Sequence, residues 1–178
     1  TNGAQLGGAL ANPFEDRPTG IQLLDPMNKS AYLKAPNYLS GGGGLVSTLS
    51  DYGRFCQALL SGGELDGQRI LSPKTLAHMR LNQLPHNKDM AAMGQPVWSE
   101  TSYEGIGFGI GWAVVIDPAA ANIVTSVGEH HWGGAASTFF WVDPVEDLYT
   151  VFLTQLVPPS TYPLRRELRA RVYQSLID

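Results

Sequence analysis

The spacing of apolar residues changes along this chain, and each spacing predicts a different element. Tyr52, Phe55, Cys56, Leu59 and Leu60 fall at i, i+3, i+4, i+7 and i+8, one stripe of a helix. That helix is expected over 51–60, with Ser50 as its cap, Asp51 in its first turn and Gly62-Gly63 ending it. Ser72-Pro73 then starts a second helix, expected to reach Leu81 or Asn82, with His78 a surface or half-buried residue within it. Between the two helices, Asp66-Gly67 is a tight-turn dipeptide. From Gly105 to Trp112 the pattern becomes a strict alternation of glycine with Ile106, Phe108, Ile110 and Trp112. This period of two predicts a strand continuing to Ile116, with a glycine face that must meet a close neighbour: helix, backbone or substrate. Asp117-Pro118 to Asn122 reads as a turn and Ile123–Val127 as the return strand. Ser137–Val142 and Leu148–Gln155 are two more strands, separated by the turn residues of 143–147. Successive short turns make this an antiparallel meander. After Pro158-Pro159, Ser160 or Thr161 with Pro163 opens a last helix, where Leu164, Leu168, Val172 and Leu176 recur every four residues. The class is α+β: an antiparallel β-sheet flanked by helices.

Other stretches carry weaker periodicity. Residues 1–24 read as an irregular surface segment with a short strand near Ile21–Leu24, and 25–40 as an extended packed connection. Four glycines, Gly41 to Gly44, lack the Lys-Ser/Thr of a phosphate-binding loop and follow no strand of a βαβ unit. Close backbone packing beside a site is expected there instead. Residues 83–104 form one long loop, of the kind that walls a pocket. No repeat divides the chain, so 1–178 is taken as one unit.

Composition narrows the function classes. With 178 residues and 43% hydrophobic content, the chain can bury a substantial core. The net charge is −4 and no basic run occurs, which argues against a nucleic-acid partner. The single cysteine, Cys56, rules out an intrachain disulfide and sits on the apolar stripe, as a structural thiol does. No apolar run reaches the length of a membrane span and no signal-peptide pattern opens the chain. A soluble protein is expected, in the cytoplasm or the periplasm. Thr1 could act as an N-terminal nucleophile, although a cleavage boundary explains it more simply.

The candidate chemistry gathers in residues 129–138, Glu-His-His-Trp-Gly-Gly-Ala-Ala-Ser-Thr. A strand opening with Gly133-Gly134-Ala135 presents backbone N–H groups that side chains do not obstruct. Such donors, aimed at a developing oxyanion, are worth ~3 kcal/mol or more. Trp132 would wall the acyl or alcohol part of a substrate. The glycine-faced strand and the 83–104 loop would complete the pocket. His130 and His131 are adjacent, so on a strand they face opposite ways and cannot together chelate one metal. No metal and no cofactor is expected. The substrate-contacting set is Trp132, Gly133, Gly134 and His131. A nucleophile is missing: the chain has no Gly-x-Ser-x-Gly elbow and no Ser-x-x-Lys, and Ser137 has no base beside it in sequence. No carboxylate pair suggests a glycosidase.

Several motifs, in order, resemble one family. They are Gly41–Thr48, Asp51-Tyr52-Gly53-Arg54-Phe55-Cys56, Gly62–Gly67 and Leu71-Ser72-Pro73-Lys74-Thr75. Trp132–Thr138, Trp141-Val142-Asp143-Pro144 and Phe152-Leu153-Thr154-Gln155 continue the series. Together they look like the C-terminal half of the serine β-lactamase-related hydrolases, most of all the family VIII carboxylesterases. These are relatives of class C β-lactamases and penicillin-binding proteins. The resemblance implies the C-terminal portion of the serine β-lactamase-like fold. It also implies a nucleophile in a Ser-x-x-Lys, with an assisting tyrosine, in an N-terminal half that this chain does not contain. Tyr38-Leu39-Ser40 lies at the wrong place to be that tyrosine motif. The family's third motif, Lys-Thr-Gly in β-lactamases and commonly Trp-Gly-Gly in the esterases, would be Trp132-Gly133-Gly134. Its second oxyanion donor would be the Ala135 N–H. Tryptophan in place of lysine removes the cation that holds a β-lactam carboxylate, so short esters are expected over penicillins. The implied partners are the N-terminal half of the same enzyme and a small ester, or an oligomer that covers the exposed edge. A penicillin-type amide hydrolase and a non-catalytic binding module are the alternatives.

Overall fold

The computed structural model describes residues 14–17, 20–43, 45–94, 103–159 and 161–177. Strands β1 (Phe14–Arg17) and β2 (Gly20–Leu23) form an antiparallel pair. Helix α1 (Leu49–Leu60) follows, then the two-residue strands β3 (Glu64–Leu65) and β4 (Gln68–Arg69), then α2 (Pro73–Met79). Next come β5 (Ile106–Phe108), β6 (Ala113–Val115) and the one-turn helix α3 (Pro118–Ala121). The chain closes with β7 (His130–Gly133), β8 (Phe139–Asp143), β9 (Leu148–Phe152), β10 (Leu156–Val157) and α4 (Leu164–Tyr173).

Strands β5 to β9 make one five-stranded sheet in sequence order, every neighbour antiparallel. This is the expected meander, and the α+β class holds. On one face Val114, Phe140 and Val142 pack with Trp112 against Cys56 and Leu59 of α1 and Leu76 of α2. On the other, Phe139 and Trp141 pack against Leu168, Val172 and Tyr173 of α4. The two sets alternate along β8, so one strand serves both layers. Strand β10 leaves this sheet and pairs in parallel with β1.

Several boundaries differ from those the sequence suggests. Thr48, not Ser50, caps α1: its hydroxyl oxygen accepts from the Asp51 N–H at 3.1 Å and its O–H donates to the Asp51 carboxylate at 2.9 Å. Ser50 is already inside the first turn. Ser72 caps α2 as expected, accepting from Thr75 N–H at 3.0 Å, but the helix stops at Met79. The freed Met79 carbonyl accepts from Ile110 N–H at 2.9 Å.

The glycine alternation from Gly105 to Ile116 is not one strand. It folds back as the hairpin β5–β6, with Gly111 at φ 97° in the turn. At Gly105, Gly107 and Gly109 the glycine face is filled by protein. A Cβ on Gly107 would lie 2.5 Å from Asn82 Cγ, and one on Gly109 would collide with the Met79 carbonyl. The face therefore admits the end of α2 and not a ligand. Ile123–Val127 forms no strand; the return strand is β7, and Asp117 instead caps α3 by accepting from Ala119 and Ala120 N–H, both at 3.0 Å. The Asp66-Gly67 turn appears as expected, both residues at positive φ. At Gly41 and Gly42 an added Cβ would meet nothing, so the close packing expected there is not made among the described residues; Gly44 lies outside them.

The long loop divides. Its first part lies along β5, with Gln83 N–H donating to Phe108 O and Met90 N–H to Ile106 O, both at 2.8 Å. Residues 95–102, including Trp98, lie outside the described residues, as does Thr1.

On α4 the leucine stripe is only half-buried. The fully buried residues are Arg165, Arg169 and Tyr173, one further row of the helix. Leu176 lies beyond the helix end and is exposed. Among the described residues no helix is long and apolar enough to cross a membrane. Residues 20–49 leave much apolar surface open: Leu45 is 96% exposed, Leu39 85% and Tyr38 80%.

Candidate functional site

Strand β7 delivers the Trp-Gly-Gly motif to the neck of a five-residue turn, Gly134–Thr138. Gly134 N–H donates to Thr138 O at 3.0 Å and closes the neck; Ser137 N–H donates to Gly134 O at 3.1 Å and tightens the loop. Ser137 sits at φ 65°, and its hydroxyl donates to Leu156 O at 2.6 Å. Leu156 N–H returns a bond to Ala136 O at 3.1 Å. The turn is therefore tied to β10 at its far side. Ser137 is buried by these bonds and is not a free nucleophile.

The turn leaves the Ala135 amide unused. Ala135 is exposed, and its N–H has no acceptor among the described residues. Trp132, 39% exposed, stands on the same stretch and meets Phe108 edge-on at 5.2 Å between ring centres. Trp132 and Ala135 thus both reach the surface around this turn. Gly133 and Gly134 are half-buried within it. A Cβ on Gly133 would come within 2.7 Å of Arg165 Nη2 and 2.9 Å of Thr138 O; one on Gly134 would come within 2.5 Å of Thr138 Oγ1.

His131 does not share that surface. It is 6% exposed and lies in a polar network under the sheet. Its Nδ1 is 2.9 Å from Glu129 Oε1. The other oxygen of Glu129 takes Arg169 and the Thr125 hydroxyl, and lies 3.2 Å from the Tyr173 hydroxyl. Tyr173 has a nearer acceptor in Asp143 Oδ2 at 2.6 Å. One phenolic proton serves one acceptor at a time, and the shorter bond goes to Asp143. The cations stack as well: Arg169 lies 4.8 Å from the Trp141 ring centre and Arg165 5.1 Å from that of Phe139.

Burial sets the protonation of this region. It pushes His131 down to about 4, with the nearby Arg165 charge adding to the effect. The ring is neutral at neutral pH, with its proton on Nδ1 facing the carboxylate. His130, on the opposite face against Trp112 at 4.8 Å, is also lowered to about 4, chiefly by burial. Neither histidine is poised as a base near pH 7. Arg169 falls to about 10 through burial and stays charged. Tyr173 is raised, first by burial and then by its bond to Asp143. The buried Cys56 thiol is pushed up to about 12, as a structural cysteine should be. Among the described residues no group of three or more His, Cys, Asp or Glu side chains could hold a metal.

Sequence reasoning missed Glu129, Arg165 and Arg169. The signal was present: Arg165, Arg169 and Tyr173 repeat every four residues, beside the leucines.

Known proteins resemble this chain. Over 131 residues the chain is 37% identical to Protein Rv1367c of Mycobacterium tuberculosis, covering 71% of this chain and 31% of that protein. It is 33% identical over 138 residues to Esterase EstB of Burkholderia gladioli, covering 76% and 31% respectively. The chain thus spans about a third of the length of these curated relatives. Among solved structures, EstCE1, a hydrolase with promiscuous acyltransferase activity, superposes with a TM-score of 0.70 at 24% identity, over 92% of this chain and 43% of that one. That likeness is one of fold. The Beta-lactamase family model matches residues 7–174, and the chain belongs to the Beta-lactamase family.

Proposed function

We propose that this chain supplies the oxyanion-binding and substrate-walling part of a serine carboxylesterase. The carrying observation is the exposed Ala135 amide, which has no acceptor among the described residues, next to the half-open indole of Trp132. The acyl group of a short ester would be attacked by a serine on a Ser-x-x-Lys segment outside this chain. The tetrahedral oxyanion would take one hydrogen bond from Ala135 N–H and another from the nucleophile's own amide. The alcohol leaves, and water then releases the acid and frees the serine. Trp132 offers an apolar wall and no cation for a carboxylate, which favours simple esters over penicillins. His131, sealed against Glu129, would not touch substrate.

The apolar surface around Tyr38, Leu39 and Leu45 is the natural seat for the nucleophile-bearing segment, since water is a poor neighbour for so much exposed side chain. The test is hydrolysis of p-nitrophenyl acetate by the enzyme assembled with that segment. Ala135→Pro, which deletes the N–H, should lower kcat by roughly 100- to 1,000-fold. Turnover unchanged in this variant would remove Ala135 from the mechanism.

A further inference from the structure

We propose that Arg165 is a positioning residue for the Ala135 amide, holding from inside the protein the peptide that faces the substrate. The inference rests on the oxyanion reading of Ala135 and adds to it the group that aims the donor. A peptide unit is planar and trans, so the carbonyl of Gly134 and the N–H of Ala135 point in opposite directions. Fixing one end fixes the other. Gly134 O accepts from Arg165 Nη2 at 3.1 Å, and also from Ser137 N–H at 3.1 Å. With the carbonyl pinned inward, the Ala135 N–H is turned outward to the exposed rim.

Three further observations mark the guanidinium as built into this turn. The same Nη2 reaches Thr138 O at 3.2 Å, so one nitrogen bridges both sides of the neck. Gly133 lacks a side chain at the place where the guanidinium lies: a Cβ would sit 2.7 Å from Nη2 and 2.8 Å from Cζ. The head group is buried and lies over Phe139, which limits its freedom to swing away. A positive charge on the carbonyl side also polarises the peptide, so its N–H donates more strongly to a developing negative oxygen. Arg165 therefore acts on the transition state through Ala135 and touches no substrate itself.

The test uses the assembled enzyme and three variants: Arg165→Met, Arg165→Lys and Ala135→Pro, with the Arg165→Met/Ala135→Pro double. Arg165→Met should lower kcat for p-nitrophenyl acetate by roughly 10- to 100-fold with KM changed little, since ground-state binding by Trp132 remains. Arg165→Lys keeps the charge and stem but reaches one carbonyl, so it should lose less and serves as the folded control. The double variant should be no slower than Ala135→Pro alone, because both act through one hydrogen bond. Parent-like kcat in Arg165→Met overturns the proposal, as does a double variant in which the two losses multiply. A loss that appears wholly in KM also overturns it. If Ala135→Pro itself retains full turnover, the oxyanion reading falls and this inference with it, and the Ala135→Pro arm alone shows which of the two has failed.

Discussion

Replacing Glu129 by glutamine tests whether the buried polar network holds the sheet to α4. The carboxylate has no exposed surface, and it bonds Arg169, Thr125 and His131, with the Tyr173 hydroxyl 3.2 Å away. Glutamine keeps the shape but removes the charge, and its NH2 turns a donor toward groups that are themselves donors. Arg169 is then a buried cation without its counter-ion. Breaking a buried pair on one side costs about 3–5 kcal/mol, because the remaining charge keeps its desolvation penalty. Tyr173 is less affected, since its shorter bond runs to Asp143. The expected loss for Glu129→Gln is therefore near the full ~3–5 kcal/mol, or roughly 10 °C in Tm for a domain of this size. Urea unfolding followed by tryptophan emission measures it, since Trp141 is fully buried beneath Arg169. Adding Arg169→Met should restore part of the loss, because an apolar side chain of similar reach replaces the orphaned charge. A single variant within about 1 kcal/mol of the parent would refute the reasoning. So would a double variant no more stable than the single.

Two further predictions concern the same region. Gly133→Ala forces both the Arg165 head group and the Thr138 carbonyl to move, so it should cost about 2 kcal/mol and lower the Tm; an unchanged melt would mean the turn is looser than the contact at 2.9 Å implies. His130 and His131 both titrate near 4 in the fold, against 6.5 when unfolded, so between those values the unfolded chain binds protons that the folded chain does not. Stability should be fully present above pH 6.5 and fall as pH drops toward 4, by at most roughly 3 kcal/mol per histidine. Urea midpoints at pH 7.5, 6 and 4.5 check this, and a flat profile would show that the rings are not buried neutral.

Part of the sheet, β8 and β9, is legible because these strands carry their own punctuation. Asp143-Pro144 and Asp66-Gly67 announce turns by chemistry alone, and β8 and β9 follow from β-branched and aromatic runs. The glycine alternation misled because period two describes both arms of β5–β6 equally well. What breaks the strand is the fit of Gly109 against the Met79 carbonyl, a long-range contact with no local trace. Thr48 and Ser50 are both good caps, and only the position of Asp51 three residues on separates them.

The site was legible in outline and hidden in its support. Trp132-Gly133-Gly134-Ala135 stands out by composition, and small residues beside a large aromatic do mark an exposed turn. The sequence places Gly133 among the substrate contacts, yet the space beside it holds Arg165, thirty-two residues later in the chain. An arginine on an amphipathic helix ordinarily belongs to the wet face, so the pattern of α4 points to Leu164 and Leu168 rather than to Arg165 and Arg169. They go inside because Glu129 is buried just before β7 and because the neck of the turn offers two carbonyls, Gly134 O and Thr138 O, each of which accepts from Arg165 in addition to a backbone amide. The polar partners are what make α4 bury its arginine row, and those partners come from β7, its following turn and the residue before β7. A helix whose buried face is set by another element's acceptor oxygens cannot be read from its own hydrophobic pattern.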